Sequence, residues 1–337
     1  MMLVIPVFIP HEGCPHSCVF CNQHRISGVQ DKPVTGSEVA EIIRIWLERG
    51  RKKKLSRVQV AFYGGSFTGL SMARQHELLS SVKPFIERGE VQTIRLSTRP
   101  DYIDPGIVVF LQEHQVATVE LGGQSLDDAV LRRSLRGHLA MDVIRASALL
   151  KDAGMELGIQ LMVGLPGQNF ASLRKTVAGV IELAPTFIRI YPVLVVAGSG
   201  LEFQYGRGEY QPLSLSRALL QAAWMKKKMT AHGIRVVRMG LQPGPELERS
   251  LVAGPYHPAF GELVNARLML QQTRKLLSQV PSGRQVRLQI SDRDQSVFRG
   301  IRSANIHRLT SLGLSDRFTL HIDPDQPRGT VQFVPNP

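Results

Sequence analysis

The chain has 337 residues, 43% apolar and 20% charged, which excludes disorder as its main state and leaves room for one large α/β domain with an appendage, or two domains. Its 41 Lys and Arg against 28 Asp and Glu give a net charge of +13, a surface that attracts polyanions such as nucleic acid, nucleotides or anionic metabolites. No apolar run reaches the roughly 18–20 residues a membrane helix needs, and Met1–Phe8 lacks the basic start and cleavage site of a signal peptide, so a cytoplasmic chain is expected.

The first element is a short apolar strand near 3–8. Directly after it come the chain's three cysteines, Cys14, Cys18 and Cys21, in the spacing C-x3-C-x2-C. An odd number excludes complete intrachain disulfide pairing, and without an export signal a metal or redox role is favoured. Thiolates select zinc, copper(I) or iron–sulfur clusters. A structural zinc site would need a histidine as fourth ligand, from His11, His16 or His24. A [4Fe–4S] cluster held by three cysteines would leave one iron open to a small molecule.

Beyond the cysteines, apolar runs predict strands near 57–63, 93–98, 117–122, 157–163 and 186–191. Amphipathic stretches between them predict helices near 36–50, 71–88, 104–114, 140–153 and 169–183, with Gly36-Ser37 and Asn169 as candidate N-caps. Six strand–helix units imply a parallel sheet with right-handed crossovers, either doubly wound or a partial barrel. In both, function gathers at the C-terminal strand ends. Those ends read Tyr63-Gly64-Gly65-Ser66, Ser97-Thr98-Arg99-Pro100-Asp101, Glu120-Leu121-Gly122-Gly123-Gln124-Ser125 and Gly164-Leu165-Pro166-Gly167. Arg136-Gly137-His138 follows the third of them, and Ile190-Tyr191-Pro192 closes the last strand. Singly, each is ordinary turn punctuation.

Together they carry a resemblance. The motif C-x3-C-x-aromatic-C, with Phe20 as the aromatic residue, resembles the radical S-adenosylmethionine (SAM) superfamily. The Arg-Pro-Asp, Glu-Leu-Gly-x-Gln-Ser, Arg-Gly-His and Gly-Leu-Pro-Gly series is most similar to the radical SAM core of the Elongator catalytic subunit. More distantly it resembles the oxygen-independent coproporphyrinogen III oxidases. The resemblance implies an α/β fold, a partial (βα)6 TIM-like barrel over residues 1–240; the remaining residues, 241–337, read as a small α+β extension covering the barrel mouth. It implies a [4Fe–4S] cluster on Cys14, Cys18 and Cys21, with SAM chelated at the open iron and cleaved to a 5′-deoxyadenosyl radical. By the same resemblance Phe20 lies against the adenine, and Gly64, Gly65 and Ser66 bond the SAM amino group. Gln124 and Arg136 contact its ribose or carboxylate, and the Gly164–Gly167 loop lines the adenine side. Ser97 stands where the family has an acid, which implies altered SAM contacts. An electron donor of flavodoxin or ferredoxin type is implied, and an RNA base or nucleotide ranks first as substrate, ahead of a porphyrinogen-like metabolite. The 337 residues leave no room for the family's N-terminal RNA-binding extension or its acetyl-CoA domain, and no membrane partner is expected.

After residue 250, Tyr256, His257 and Glu262 could cover the mouth, followed by a helix near 263–279 and strands near 285–290, 317–323 and 330–334. The densest basic run, Arg49 to Arg57, falls at a helix-to-strand connection, the end of a barrel away from the site. The reading from a different class is a zinc- or cluster-stabilised nucleic-acid-binding protein without catalysis.

Overall fold

Strands form where β-branched and aliphatic residues run nearly unbroken, as in Arg-Val-Gln-Val-Ala-Phe-Tyr-Gly, the pattern of strands covered on both faces. In the computed structural model, which describes residues 2–9, 13, 14, 18–22, 25, 26, 33–51 and 56–334, these runs are β1 (Met2–Ile9), β2 (Arg57–Gly64), β3 (Thr93–Thr98), β4 (Val116–Gln124), β5 (Glu156–Val163) and β6 (Phe187–Pro192). Short β7 (Val195–Val196) follows, then β8 (Arg235–Met239). The main sheet is all parallel in the order β1-β2-β3-β4-β5-β6-β8. Strand order follows chain order without reversal. A doubly wound sheet reverses at a switch point, so this is the partial-barrel arrangement.

The six expected strands are present, and β8 adds a seventh. β8 carries Arg235 and Arg238 and, among the described residues, pairs only with β6, so its composition lacks the apolar run that marks the others. The expected helix at 71–88 is two helices, Met72–Ser80 and Lys83–Glu87, the second with Pro84 in its first turn. Asn169 caps helix Phe170–Leu183, its side chain accepting from Ser172 N at 3.0 Å. At the first helix the cap is Thr35 rather than Gly36-Ser37. Thr35 Oγ1 accepts from Glu38 N at 3.2 Å while Glu38 Oε2 accepts from Thr35 N at 2.8 Å, a reciprocal box that a glycine cannot make.

The remaining elements build outward from β6. β7 pairs antiparallel with β9 (Leu251–Ala253), which draws the 241–256 segment to the C-terminal strand ends. Leu194, Val196, Leu247 and Tyr256 share a small apolar cluster there. Helix Phe260–Leu277 then joins two cores. Phe260 and Val264 belong to the main core, while Ala266, Met269 and Leu277 pack with β10 (Val286–Ser291), Phe298 and Leu309. A small sheet in the order β11-β10-β12 completes this unit, with β11 at Phe318–Asp323 and β12 at Gln332–Phe333. Among the described residues no helix is long and apolar enough to cross a membrane.

Candidate functional site

The half-barrel's concave face is polar, and one carboxylate organises it. Glu120 of β4 has no exposed surface. Its carboxylate accepts from Arg189 Nε at 2.6 Å and Nη2 at 2.8 Å, Arg95 Nη1 at 3.2 Å, Gln160 Nε2 at 3.2 Å and the Tyr63 hydroxyl at 3.4 Å. Five donors from β2, β3, β5 and β6 thus converge on β4. Two guanidiniums on one buried carboxylate satisfy the charge that burial would otherwise penalise. Sequence reading picked out Glu120 only as a letter in a motif, because its partners lie on other strands.

Above this layer, at the C-terminal strand ends, sits the cysteine segment. Its ties are backbone hydrogen bonds. Val19 N donates to Ser134 O at 3.2 Å, Leu201 N donates to Val19 O at 2.7 Å, and Cys21 N donates to Cys18 O at 3.0 Å. Asn22 Nδ2 donates to Ala197 O at 2.9 Å. Gly13 and Gly69 interlock: a Cβ on Gly69 would lie 2.1 Å from Gly13 O, and one on Gly13, whose φ is +73°, would lie 2.2 Å from Ser66 O. Only glycine fits both places. No local signal in the sequence encodes this contact.

The three thiols lie within electrostatic reach of one another. Burial, then the neighbouring Cys18 and Cys14, pushes the Cys21 thiol up to about 12. Burial also raises Cys14, against the Arg136 and Arg99 charges and a hydrogen bond from the Ser66 backbone, which lower it. Among the described residues no three His, Cys, Asp or Glu side chains are gathered as one metal ion requires. His11, His16 and His24, the histidines considered for zinc, lie outside the described residues, as do residues 52–55 of the basic run. A cubane takes each thiolate on a different iron and needs them further apart than a single ion does. One buried and two half-buried thiols beside the buried guanidiniums of Arg99 and Arg136 therefore fit an anionic iron–sulfur cluster.

The other predicted residues fall around this segment in differing roles. Ser66 is buried, and its hydroxyl meets Thr98 Oγ1 at 3.0 Å and accepts from Arg99 N at 3.2 Å, so its side chain locks β2 to β3. Gly64, at φ +111°, lets β2 pass Ile9 O, which a Cβ would approach to 2.5 Å; Gly65 beside it is half-buried. Gln124 is buried at φ +61°, and its Oε1 has no partner, an acceptor left for a bound donor. Arg99 is bidentate to Asp101, Nε to Oδ1 at 3.0 Å and Nη2 to Oδ2 at 2.8 Å, and its Nη1 has no partner. Ser97 is half-buried and in register with Glu120.

Phe20 packs against an apolar cluster that includes Leu165 of the Gly164–Gly167 loop, with Val193 and Tyr210. Gly164 N donates to Gln168 Oε1 at 2.6 Å, and Gly164 O accepts from the Tyr210 hydroxyl at 2.7 Å. Gly167, at φ +74°, abuts Arg133, whose Cδ a Cβ would approach to 2.6 Å. Arg136 points at the thiols: Nη1 lies 3.3 Å from Cys18 Sγ, Nη2 donates to Gly122 O at 2.6 Å and Nε to His138 Nε2 at 3.1 Å. Gly122 leaves room for that Nη2, which a Cβ would approach to 2.7 Å and displace. Of the tail residues, Tyr256 donates its hydroxyl to Glu248 at 2.6 Å, His257 Nδ1 accepts from Ala259 N at 3.0 Å, and Glu262 is exposed.

Comparison with known proteins identifies the family and the fold. The profile of the Radical SAM superfamily matches residues 8–178, and that of the Radical_SAM C-terminal domain matches 185–270. A curated relative, tRNA uridine(34) acetyltransferase of Methanocaldococcus infernus, is 27% identical over 263 residues, 67% of this chain and 49% of that protein. The chain thus spans about half the length of that relative. Among solved structures, M. infernus Elp3 with an N-terminal deletion superposes with TM-score 0.65 at 22% identity, over 80% of this chain and 63% of that one. The coproporphyrinogen III oxidase HemN of Escherichia coli superposes with TM-score 0.50 at 20% identity, over 69% and 53%. Both likenesses concern the fold.

Proposed function

The chain belongs to the radical SAM superfamily, and from that premise we propose that Cys14, Cys18 and Cys21 hold its [4Fe–4S] cluster and that an RNA base or nucleotide is its substrate. Members of the superfamily are enzymes that bind this cluster and SAM and take electrons from a donor; the sequence resemblance is to its Elongator-like branch. The observation that carries the assignment is the seating of three thiols, Cys18 buried and Cys14 and Cys21 half-buried, at the C-terminal strand ends, with the Ser66 backbone at Cys14 and Arg136 at Cys18. Bound there, cluster and SAM supply reductive cleavage to a 5′-deoxyadenosyl radical that takes a hydrogen atom from the substrate.

The chain's own residues do the rest. The interlocked Gly13 and Gly69 fix the segment beside Cys14. Gln124 Oε1 and Arg99 Nη1, buried and unpartnered, offer an acceptor and a donor to SAM's polar groups. Phe20 and Leu165 give an apolar seat for a purine ring. The Glu120 layer closes the concave face underneath, which keeps water from the reacting atoms. The RNA reading is supported by the net charge of +13 and by the relative whose name specifies tRNA uridine. The electron donor in this reading is an acidic flavodoxin- or ferredoxin-like protein, complementary to the basic chain.

Formation of 5′-deoxyadenosine tests the substrate. Adding a pool of unmodified tRNA transcripts to the loaded, reduced protein is expected to stimulate it severalfold. Stimulation by a tetrapyrrole precursor, with none by RNA, would overturn the RNA reading and favour the metabolite class.

A further inference from the structure

Arg136 is a buried cation without an anion. Only 7% of its surface is exposed, and among the described residues no carboxylate lies within salt-bridge distance of it. Its contacts are neutral or sulfur: Gly122 O, His138 Nε2 and Cys18 Sγ. The imidazole gives no compensation, because burial, then the adjacent Arg136 charge, pushes His138 down to about 4. Its Nδ1–H donates to Leu139 O at 3.2 Å, leaving Nε2 to accept from the guanidinium. Arg99, the other buried arginine beside the thiols, differs in being neutralised by Asp101. An unpaired buried charge is costly unless something anionic comes to it.

We propose that Arg136 is a redox-positioning residue: its N–H···S hydrogen bond to the Cys18 thiolate and its unneutralised charge raise the reduction potential of the cluster. The inference rests on the reading that the three cysteines hold that cluster. Reduction adds one negative charge next to Cys18. A fixed cation 3.3 Å from that sulfur, in a low-dielectric setting, stabilises the reduced form more than the oxidised one. The three-way fork explains why the residue is arginine, since a lysine ammonium cannot hold Gly122 O, His138 and the sulfur from one plane. Gly122 belongs to the same device, because it makes room for Nη2.

The test is a potentiometric titration of the reconstituted protein without SAM, followed by EPR of the reduced cluster. Omitting SAM separates this role from any contact between Arg136 and the SAM carboxylate. Arg136→Met is expected to make reduction at least about tenfold less favourable, a fall of about 59 mV for one electron. Arg136→Lys is expected to fall between it and wild type. An unchanged potential in Arg136→Met with four irons retained would overturn the inference. A measurement on the unaltered chain guards against variants that lose the cluster. With 15N-arginine in the wild type, pulsed EPR is expected to show a nitrogen coupling that 15N-labelled Arg136→Lys lacks; identical spectra would overturn the proposal. Iron and sulfide uptake by the wild type reports separately on the cluster reading, and its failure would overturn both.

Discussion

Glu120→Ala is expected to destabilise the chain by about 3–5 kcal/mol, a large part of the roughly 5–15 kcal/mol that holds a typical domain folded. The substitution strips Arg189, whose side chain is 14% exposed, of its carboxylate, and leaves Arg95, 10% exposed, with only the longer contact to Glu156 at 3.9 Å. Arg189 is the more committed partner, held bidentate at 2.6 and 2.8 Å with its charged form stabilised by that carboxylate. Glu120→Gln keeps the shape and one acceptor and is expected to lose less. The exposed pair Arg88–Glu90 provides the contrast: Glu90→Ala is expected to change stability by no more than about 1 kcal/mol. Urea unfolding of the three variants decides the matter. A Glu120→Ala protein within about 1 kcal/mol of wild type would show that the polar layer does not hold the barrel wall.

Gly69→Ala is expected to cost the protein its cluster while leaving the barrel folded. The new methyl would sit 2.1 Å from Gly13 O, and Gly13 is joined directly to Cys14. Something must shift, and the backbone on the Gly69 side is fixed: Gly69 N donates to Ser66 O at 3.0 Å, and Ser66 is locked to Thr98. The yielding part is the cysteine segment. Overpacking strain of about 1–3 kcal/mol, placed on that segment, converts to roughly 5- to 150-fold weaker cluster retention. Gly206→Ala, where an added Cβ meets nothing within 4 Å, is the matched control. Iron content and visible absorbance after anaerobic reconstitution read both. Full retention in Gly69→Ala would mean that the interlock does not position Cys14.

Much of this arrangement is written locally. The Val- and Ile-rich runs of β1 to β6 announce a buried parallel sheet because burial on both faces selects such residues at every position. The cysteines announce themselves because their spacing and concentration are local and thiolate chemistry is narrow. Choosing a barrel over a doubly wound sheet came from the family resemblance, and the unreversed strand order supplies the physical reason. The hidden features are tertiary. β8 is an edge strand whose arginines break the apolar pattern. Glu120 finds Arg95 and Arg189 at separations of 25 and 69 residues, and Gly13 meets Gly69 across two strand ends. Arg136 shows the limit most clearly. Its motif implied a SAM contact, while its geometry places it on Cys18, with Gly122 cleared to admit it. Three of its five N–H groups are engaged, so two remain for a carboxylate.

The central claim is that three thiols at the strand ends carry SAM chemistry. Its most direct test is 5′-deoxyadenosine formation by the anaerobically reconstituted protein with dithionite as reductant, beside Cys14→Ala. The wild type is expected to cleave SAM and the variant to lose the activity entirely. A wild type that holds a complete cluster and still yields no 5′-deoxyadenosine, or a variant that cleaves SAM as well as the wild type, would contradict the account.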